Sequence, residues 1–408
     1  MRILITNTGP WGTGSFTSAK AIAEEFIELG HQVKIFFPDS GIATEESDFH
    51  YTRDPVYHIW KFPLKNEEIN IDFFPLMIPD PHPRNPFRNT FSDLSDTELC
   101  YYFSEFEKEI IKVIRDFKPD IIECQHIWAM DYVIQKLQIP YICTAHHSDQ
   151  LGFLFDSRMN SYAIKSAQDA QYIFSISNYV KKEVVDLYDV LDEKVIVLNN
   201  GYDKKVFQNQ YLDRRKTLNE LKLDIPEEAF IVSFAGKVSR TKGVDIILEA
   251  NKMLPDDANI HFVICGAGEV SELLEAEQRE RVSLTNVHFI GHREPNELAK
   301  IHNISNISAM PSRSEGFGIA SLEAMACGLP IIFTRSGGLE EFAIGKVIDK
   351  ENPEMFKKAL LELVHMDKEQ FYKLSQKAIE VAHQFSWARI SKKRLEYYDR
   401  VLEDNPKF

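Results

Sequence analysis

The densest chemistry in the chain lies in one string: Pro311-Ser312-Arg313-Ser314-Glu315-Gly316-Phe317-Gly318-Ile319-Ala320-Ser321-Leu322-Glu323-Ala324-Met325-Ala326-Cys327-Gly328-Leu329-Pro330. A strand is expected to end at Met310 and a helix to begin near Ile319, with a glycine-bearing loop between them. Glycine lets a backbone approach a ligand closely, and the free N–H groups at a helix start bind phosphate. Glu315 sits in the loop, and Glu323 lies about one turn inside the helix. Two carboxylates flanking a phosphate-binding helix start each accept hydrogen bonds from hydroxyls, one set on a sugar and one on a ribose. Either glutamate alone reads as a solvated acid in an ordinary βα loop. The whole string does not.

Shorter segments in the first half also carry residues of interest. Gly9-Pro10-Trp11-Gly12-Thr13-Gly14-Ser15 lies between the first expected strand and the first expected helix, where Gly12 and Gly14 let a ligand come close to the backbone. The third glycine of a dinucleotide fingerprint is replaced by Thr17. No acidic residue ends the second strand at the expected place, Pro38-Asp39 being the nearest, and this ranks a dehydrogenase low. Thr144-Ala145-His146-His147 closes a later strand, and His126 follows Cys124-Gln125 at the end of the strand before it. Spacing leaves His146 evenly open between a partly buried histidine closing a strand and a ring turned on a substrate.

These loops need strands and helices to hold them. Short β-branched runs alternate with helical patterns, which predicts α/β architecture with parallel sheets and crossover helices. In the first half, strands are expected at 3–6, 33–37, 120–124, 141–144, 172–175 and 195–198. The second half restarts the rhythm at 230–235, 260–265, 287–290, 306–310 and 330–334. Ala19, Ile22, Ala23, Phe26 and Leu29 follow helical spacing, with Gly30 placed to end the helix. Phe106, Ile110, Val113, Ile114 and Phe117 share a face of a second helix expected over 104–117, with Pro119 beyond it. Residues 202–228 are polar and charged and are read as the linker and the first helix of the second domain. Segment 41–103, rich in proline and aromatics, breaks the pattern. It is expected to be an ordered loop, with 72–91 in contact with an acceptor.

Composition narrows the function further. At 408 residues the chain fits two domains, and its 44% hydrophobic content supports two cores. With 47 basic and 62 acidic side chains the net charge is −15. That balance repels nucleic-acid backbones and anionic membranes, so neither is an expected partner. Cys100, Cys124, Cys143, Cys265 and Cys327 are scattered and show no zinc spacing, which is read as reduced, mostly buried thiols. The apolar run after Met1 is too short for a signal peptide, and no stretch approaches membrane-spanning length, so a cytoplasmic location is expected.

The string at 311–330 resembles the Glu-x7-Glu signature of retaining GT-B glycosyltransferases of family four. The resemblance extends over nearly all of the second half and more weakly over the first. Phe234-Ala235-Gly236-Lys237-Val238-Ser239-Arg240-Thr241-Lys242-Gly243 is similar to the family's strand–turn–helix with two basic residues. Cys265-Gly266-Ala267-Gly268-Glu269 is similar to its Gly-x-Gly turn, and Val287-His288-Phe289-Ile290-Gly291 precedes the loop that cradles the base. Ser336-Gly337-Gly338-Leu339-Glu340-Glu341 follows the last core strand. The resemblance implies a GT-B fold, with two Rossmann-like domains whose parallel sheets face a central cleft. Residues 1–202 would form the acceptor side and 203–385 the donor side. Phe385-Ser386-Trp387 would open a helix over 386–408 that crosses back onto the first domain.

The same resemblance assigns roles. Lys242 is expected to hold the donor diphosphate, joined by Lys237 and Arg240; Lys237 stands where the family usually has arginine, so a single ammonium replaces a bidentate fork. Glu315 contacts the transferred sugar, as does His146, and Glu323 binds the ribose hydroxyls. The amides of Gly316, Phe317, Gly318, Ile319 and Ala320 serve phosphate or sugar, Arg293 the base, and Gly12, Gly14 and Gly268 close backbone approach to the donor. Trp11 and His126 line the acceptor side. Because fixed cations beside a helix start stabilise a departing diphosphate, no metal or cofactor is expected to be required. The expected reaction is retaining transfer from a nucleotide-sugar, by default a UDP-sugar with GDP- and ADP-sugars behind, to a small polar or glycan-type acceptor. A nucleotide-sugar epimerase and a non-catalytic nucleotide-sugar-binding subunit are the alternatives.

Overall fold

A computed structural model describes residues 1–40, 54–79, 85, 87–255, 257–274 and 282–405. The chain divides into two compact units, Met1–Asn200 together with Trp387–Phe408, and Gly201–Ser386. Each unit is built on one parallel sheet flanked by helices.

The first unit contains β1 (Arg2–Asn7), β2 (Gln32–Asp39), β3 (Tyr57–Lys61), β4 (Leu64–Lys65), β5 (Asn70–Ile71), β6 (Ile121–Gln125), β7 (Tyr141–Ala145), β8 (Ile173–Ser175) and β9 (Val195–Val197). Its main sheet has the order β3-β2-β1-β6-β7-β8-β9, and β4 pairs separately with β5. Register is parallel, with Ile3 opposite Val33 on one side and Ile121 on the other. Strands covered by helices on both faces read as continuous apolar runs, and Ile3, Leu4 and Ile5 are all fully buried. The helix Gly14–Glu28 crosses from β1 to β2. Thr13 caps it by accepting from the Phe16 N–H, and Phe16, Ala19, Ile22, Ala23 and Phe26 form its buried face. Gly30 follows at φ 86°, a left-handed position that suits glycine.

Segment 41–103 does not run as one loop. Residues 57–61 form the edge strand β3, and β4 and β5 make a small antiparallel pair. The next helix begins at Asp96 rather than Ser104: Ser95 accepts from the Glu98 N–H, and the Glu98 carboxylate reaches back to the Ser95 N–H at 2.8 Å. That capping box adds two turns ahead of the apolar stripe. Within 72–91, residues 80–84 and 86 lie outside the described residues. Asn85 is fully buried and donates to the Phe74 carbonyl at 2.7 Å, while Leu76 and Phe91 bracket the segment through backbone bonds. The helix Trp387–Asp404 belongs to the first unit, where Tyr398 packs on Phe26 with ring centroids 5.6 Å apart.

The second unit contains β10 (Phe230–Ala235), β11 (Ile260–Cys265), β12 (Val287–Gly291), β13 (Ile307–Met310), β14 (Ile331–Thr334) and β15 (Gly345–Ile348), in the order β12-β11-β10-β13-β14-β15. The strands are parallel throughout, with Val232 opposite both Phe262 and Ile307. One core cluster gathers Leu218, Ile225, Ile231, Val263 and Ile301 between the sheet and its helices. Cys124, Cys143, Cys265 and Cys327 are buried and free, and Cys100 is exposed.

Both sheets reverse direction beside their first strand. In the first unit the chain adds β2 and β3 on one side of β1 and then returns to place β6 on the other. In the second it adds β11 and β12 beside β10 and then returns to place β13. The loops leaving the carboxyl ends of two such strands diverge and open a crevice, where parallel α/β sheets bind ligands.

Candidate functional site

In the second unit the loops after β10 and β13 flank that crevice, and both carry residues singled out from the sequence. Lys242 Nζ donates to Glu315 Oε2 at 2.6 Å, with side chains 27% and 11% exposed. The loop then enters the helix Ile319–Ala326 through Gly318, its N-cap, at φ 95°. A Cβ there would lie 2.5 Å from Leu339 Cδ2, so the left-handed φ and the packing of Leu339 together call for glycine. Phe317 is buried, its ring 4.7 Å from that of Phe342 and 5.7 Å from that of Phe385. The side chain thus anchors the loop to the core. Gly316 is buried as well, while Ile319 and Ala320 at the helix start are half-buried. Glu323 lies one turn on; desolvation, reinforced by Asp203, pushes its carboxyl up to about 8.

The turn bearing Lys242 is fixed by a residue that sequence reasoning passed over. Arg313 holds the buried Asp245 through both terminal nitrogens, at 2.8 and 2.7 Å, and donates Nε to Glu351 at 2.7 Å. Its Nη1 also donates to the Arg240 carbonyl, and its backbone N–H to the Thr241 carbonyl at 2.8 Å. Arg313 therefore ties the loop after β13 to the chain on either side of Lys242, at Arg240 and Thr241 before it and at Asp245 after it. Gly243 closes the same joint: at φ 74°, a Cβ would stand 2.0 Å from the Pro311 carbonyl oxygen. Arg313 lay within the sequence string, but its partners Asp245 and Glu351 are distant in the chain and follow no spacing rule.

Lys237 and Arg240 are half-buried on this turn. It is laced to the loop after β11 by bonds from the Gly236 N–H to the Cys265 carbonyl and from the Val238 N–H to the Ala267 carbonyl. Gly268 has a packing reason of its own, since a Cβ would meet the Val238 carbonyl oxygen at 2.5 Å. Arg293, after β12, reaches Glu297 at 3.8 Å, and its Nε is buried without a hydrogen-bond partner among the described residues.

In the first unit the corresponding crevice is bordered by the loops after β1 and β6. Gly12 sits at φ 83°, and a Cβ at Gly12 or Gly14 would meet none of the described residues within 4 Å. Trp11 packs on Phe16 and Tyr57, with centroids 4.9 and 5.5 Å apart. His126 is buried at φ 82°, with Nδ1 lacking a hydrogen-bond partner among the described residues, and its ring lies 5.1 Å from that of His146. His146 bonds through Nε2 to Gln125 Oε1 at 2.6 Å. Burial, then the neighbouring His126 and Arg394, hold its basicity well below the ordinary imidazole value, which keeps the ring neutral. Asp149 fixes both loops, accepting from the Ile127 and His146 N–H groups at 2.9 Å each. Within the units, then, Lys242, Glu315 and the glycine-led helix start come together, as do His126 and His146. Among the described residues no group of three or more His, Cys, Asp or Glu is arranged to hold a metal ion, and no helix is long and apolar enough to cross a membrane.

Comparison with known proteins fits this geometry. Residues 12–206 match the family described as Glycosyltransferase Family 4, and residues 216–384 match Glycosyl transferases group 1. The chain belongs to the group 1 glycosyltransferases of the family-four type. An uncharacterized glycosyltransferase of Methanocaldococcus jannaschii is 31% identical over 62% of this chain, and the match spans 66% of that protein. The D-inositol 3-phosphate glycosyltransferase of Corynebacterium glutamicum is 29% identical over 77% of this chain and 81% of its own length. Among solved structures, HepE of Anabaena in complex with UDP and glucose superposes with a TM-score of 0.73 at 16% identity, covering 98% of this chain and 100% of its own. Sucrose-phosphate synthase of Thermosynechococcus elongatus gives 0.73 at 16% identity over 99% of both chains. The fold is that of the GT-B glycosyltransferases.

Proposed function

We propose that this enzyme transfers a glycosyl group from a UDP-sugar to a hydroxyl of a small polar or glycan-type acceptor, with retention at the anomeric carbon and without a required divalent metal. The observation that carries the reading is the Lys242 ammonium, 2.6 Å from Glu315 beside the glycine-led helix start, at the point where the sheet order reverses. An incoming diphosphate exchanges with Glu315 for Lys242. The freed carboxylate then accepts hydrogen bonds from the transferred sugar. As the anomeric C–O bond breaks, charge gathers on the departing phosphate. The ammonium and the helix-start N–H groups meet that charge without reorganisation. The phosphate oxygen takes the acceptor's proton while the acceptor oxygen bonds to the anomeric carbon on the same face. Glu323 binds the ribose hydroxyls, and His146 contributes a contact to the sugar. UDP as the nucleotide is supported by HepE, solved with UDP and with UDP-glucose, and a small polyol acceptor by the D-inositol 3-phosphate glycosyltransferases.

Lys242→Met tests the reading. Turnover with a matched donor and acceptor should fall by roughly 10²–10³, the effect of removing one preorganised electrostatic contact, and UDP should raise the melting temperature less than in the parent chain. Full turnover in that variant would sink the proposal. Donor incubated alone separates this reaction from epimerisation, because a transferase leaves the sugar configuration unchanged.

A further inference from the structure

Glu123, in the middle of β6, is fully buried and receives four hydrogen bonds. Oε1 accepts from Gln125 Nε2 at 2.7 Å, from Thr144 Oγ1 at 2.6 Å and from Arg394 Nη1 at 2.6 Å, and Oε2 accepts from the Tyr398 hydroxyl. Arg394 is itself fully buried, and both it and Tyr398 come from the terminal helix Trp387–Asp404. A guanidinium only donates and a carboxylate oxygen facing it accepts, so Arg394 fixes Glu123 as the acceptor of this cluster. Burial, and then the charge on Glu123, raise the Tyr398 phenol well above its ordinary value, so it remains a donor.

This chain of donors has one consequence at His146. An acceptor-only Glu123 forces the Gln125 side chain to turn its NH₂ toward the carboxylate, which leaves Gln125 Oε1 facing His146 Nε2 at 2.6 Å. A carbonyl oxygen accepts, so Nε2 must carry the hydrogen. In the neutral ring Nδ1 is then bare, and it has no hydrogen-bond partner among the described residues. We propose that the terminal helix, through Arg394, Glu123 and Gln125, locks His146 in the Nε2–H tautomer, so that the ring meets its ligand as a hydrogen-bond acceptor at Nδ1. The ligand group it selects is a hydroxyl, and a phosphate or carbonyl oxygen is refused. Arg394, Glu123 and Gln125 are positioning residues. The role of His146 toward the sugar rests on the function proposed above, whereas the proton placement does not.

Long-range ¹H–¹⁵N imidazole spectra of the full ¹⁵N-labelled chain test the proposal, with His146 assigned by its loss in His146→Gln. The parent chain should show His146 neutral and protonated at Nε2 at pH 7. Gln125→Leu removes the relay while leaving the Arg394–Glu123 pair intact, and it should give a mixture of tautomers. Arg394→Met, if it folds, should do the same, and Arg394→Lys should keep the parent pattern. In Gln125→Leu, kcat should fall about tenfold, the equivalent of one lost hydrogen bond, with the fold retained through the Arg394 and Tyr398 bonds to Glu123. A proton on Nδ1 in the parent chain, or a Gln125→Leu spectrum identical to it, overturns the proposal. Full turnover in His146→Ala alongside the expected spectra removes the ring from the reaction and leaves the tautomer assignment standing.

Discussion

Replacing Arg313 with methionine isolates what holds the Lys242 turn in place. The side chain of Asp245 is 1% exposed, and both its oxygens are taken by Arg313, which is 20% exposed. An exposed ion pair would contribute only about 0–1 kcal/mol. Here the lost partner leaves a buried carboxylate uncompensated, a change that costs about 3–5 kcal/mol. For a body the size of the second unit, each kcal/mol moves the midpoint by roughly 2–4 °C, so the variant should melt at least about 6–12 °C lower by calorimetry. Tryptophan fluorescence is the wrong probe, since Trp11, Trp60, Trp128 and Trp387 all lie in the first unit. Adding Asp245→Asn should recover most of the loss, because no buried charge remains unpaired. A midpoint shift of under about 2 °C for Arg313→Met, or no recovery in the double variant, refutes the reasoning.

Glu323, raised from 4.5 to about 8, holds a proton in the folded chain that the unfolded chain has already released, so its contribution to stability falls as pH rises across that window. Glu323→Gln should flatten that part of the stability–pH curve, and a curve parallel to the parent's would count against the shift. Ribose hydroxyls bonding to the ionised carboxylate should make UDP binding release a proton near pH 7 and tighten toward pH 9, which calorimetry in two buffers of different ionisation enthalpy can read. Gly12→Ala forces a left-handed φ on a residue with a Cβ and should cost about 1–2 kcal/mol. Gly14→Ala meets open space at a helix start, so it should keep or raise the melting temperature while weakening donor binding. Equal effects on stability would contradict the distinction.

The alternation of apolar strand runs with helical periodicity made most of both parallel sheets legible, because inner strands such as β1, β10 and β11 are short and buried, whereas the half-buried edge strand β15 was not expected. Lys242 and Glu315 were legible as chemistry but not as a pair, since their loops meet only where the sheet order reverses. The partnerships that hold these residues were invisible for a plain reason. Arg313 reaches Asp245 and Glu351, and Arg394 reaches Glu123, across chain separations that no periodicity encodes. The edge strand β3 was hidden by the prolines around Tyr57-His58-Ile59-Trp60. The early helix start was written in Ser95 and Glu98, but the apolar stripe drew attention to a later turn.

The last helix of the first unit is synthesised only after the whole of the second. Residues 1–200 therefore leave the ribosome with Glu123 buried in prospect but lacking Arg394 and Tyr398, and the intervening unit must emerge before they arrive. The second unit, by contrast, is continuous, and its two ends meet in a bridge between Tyr202 and Ser386. Biogenesis should accordingly run out of chain order, with the middle of the polypeptide settling first and the amino-terminal part waiting for its final helix.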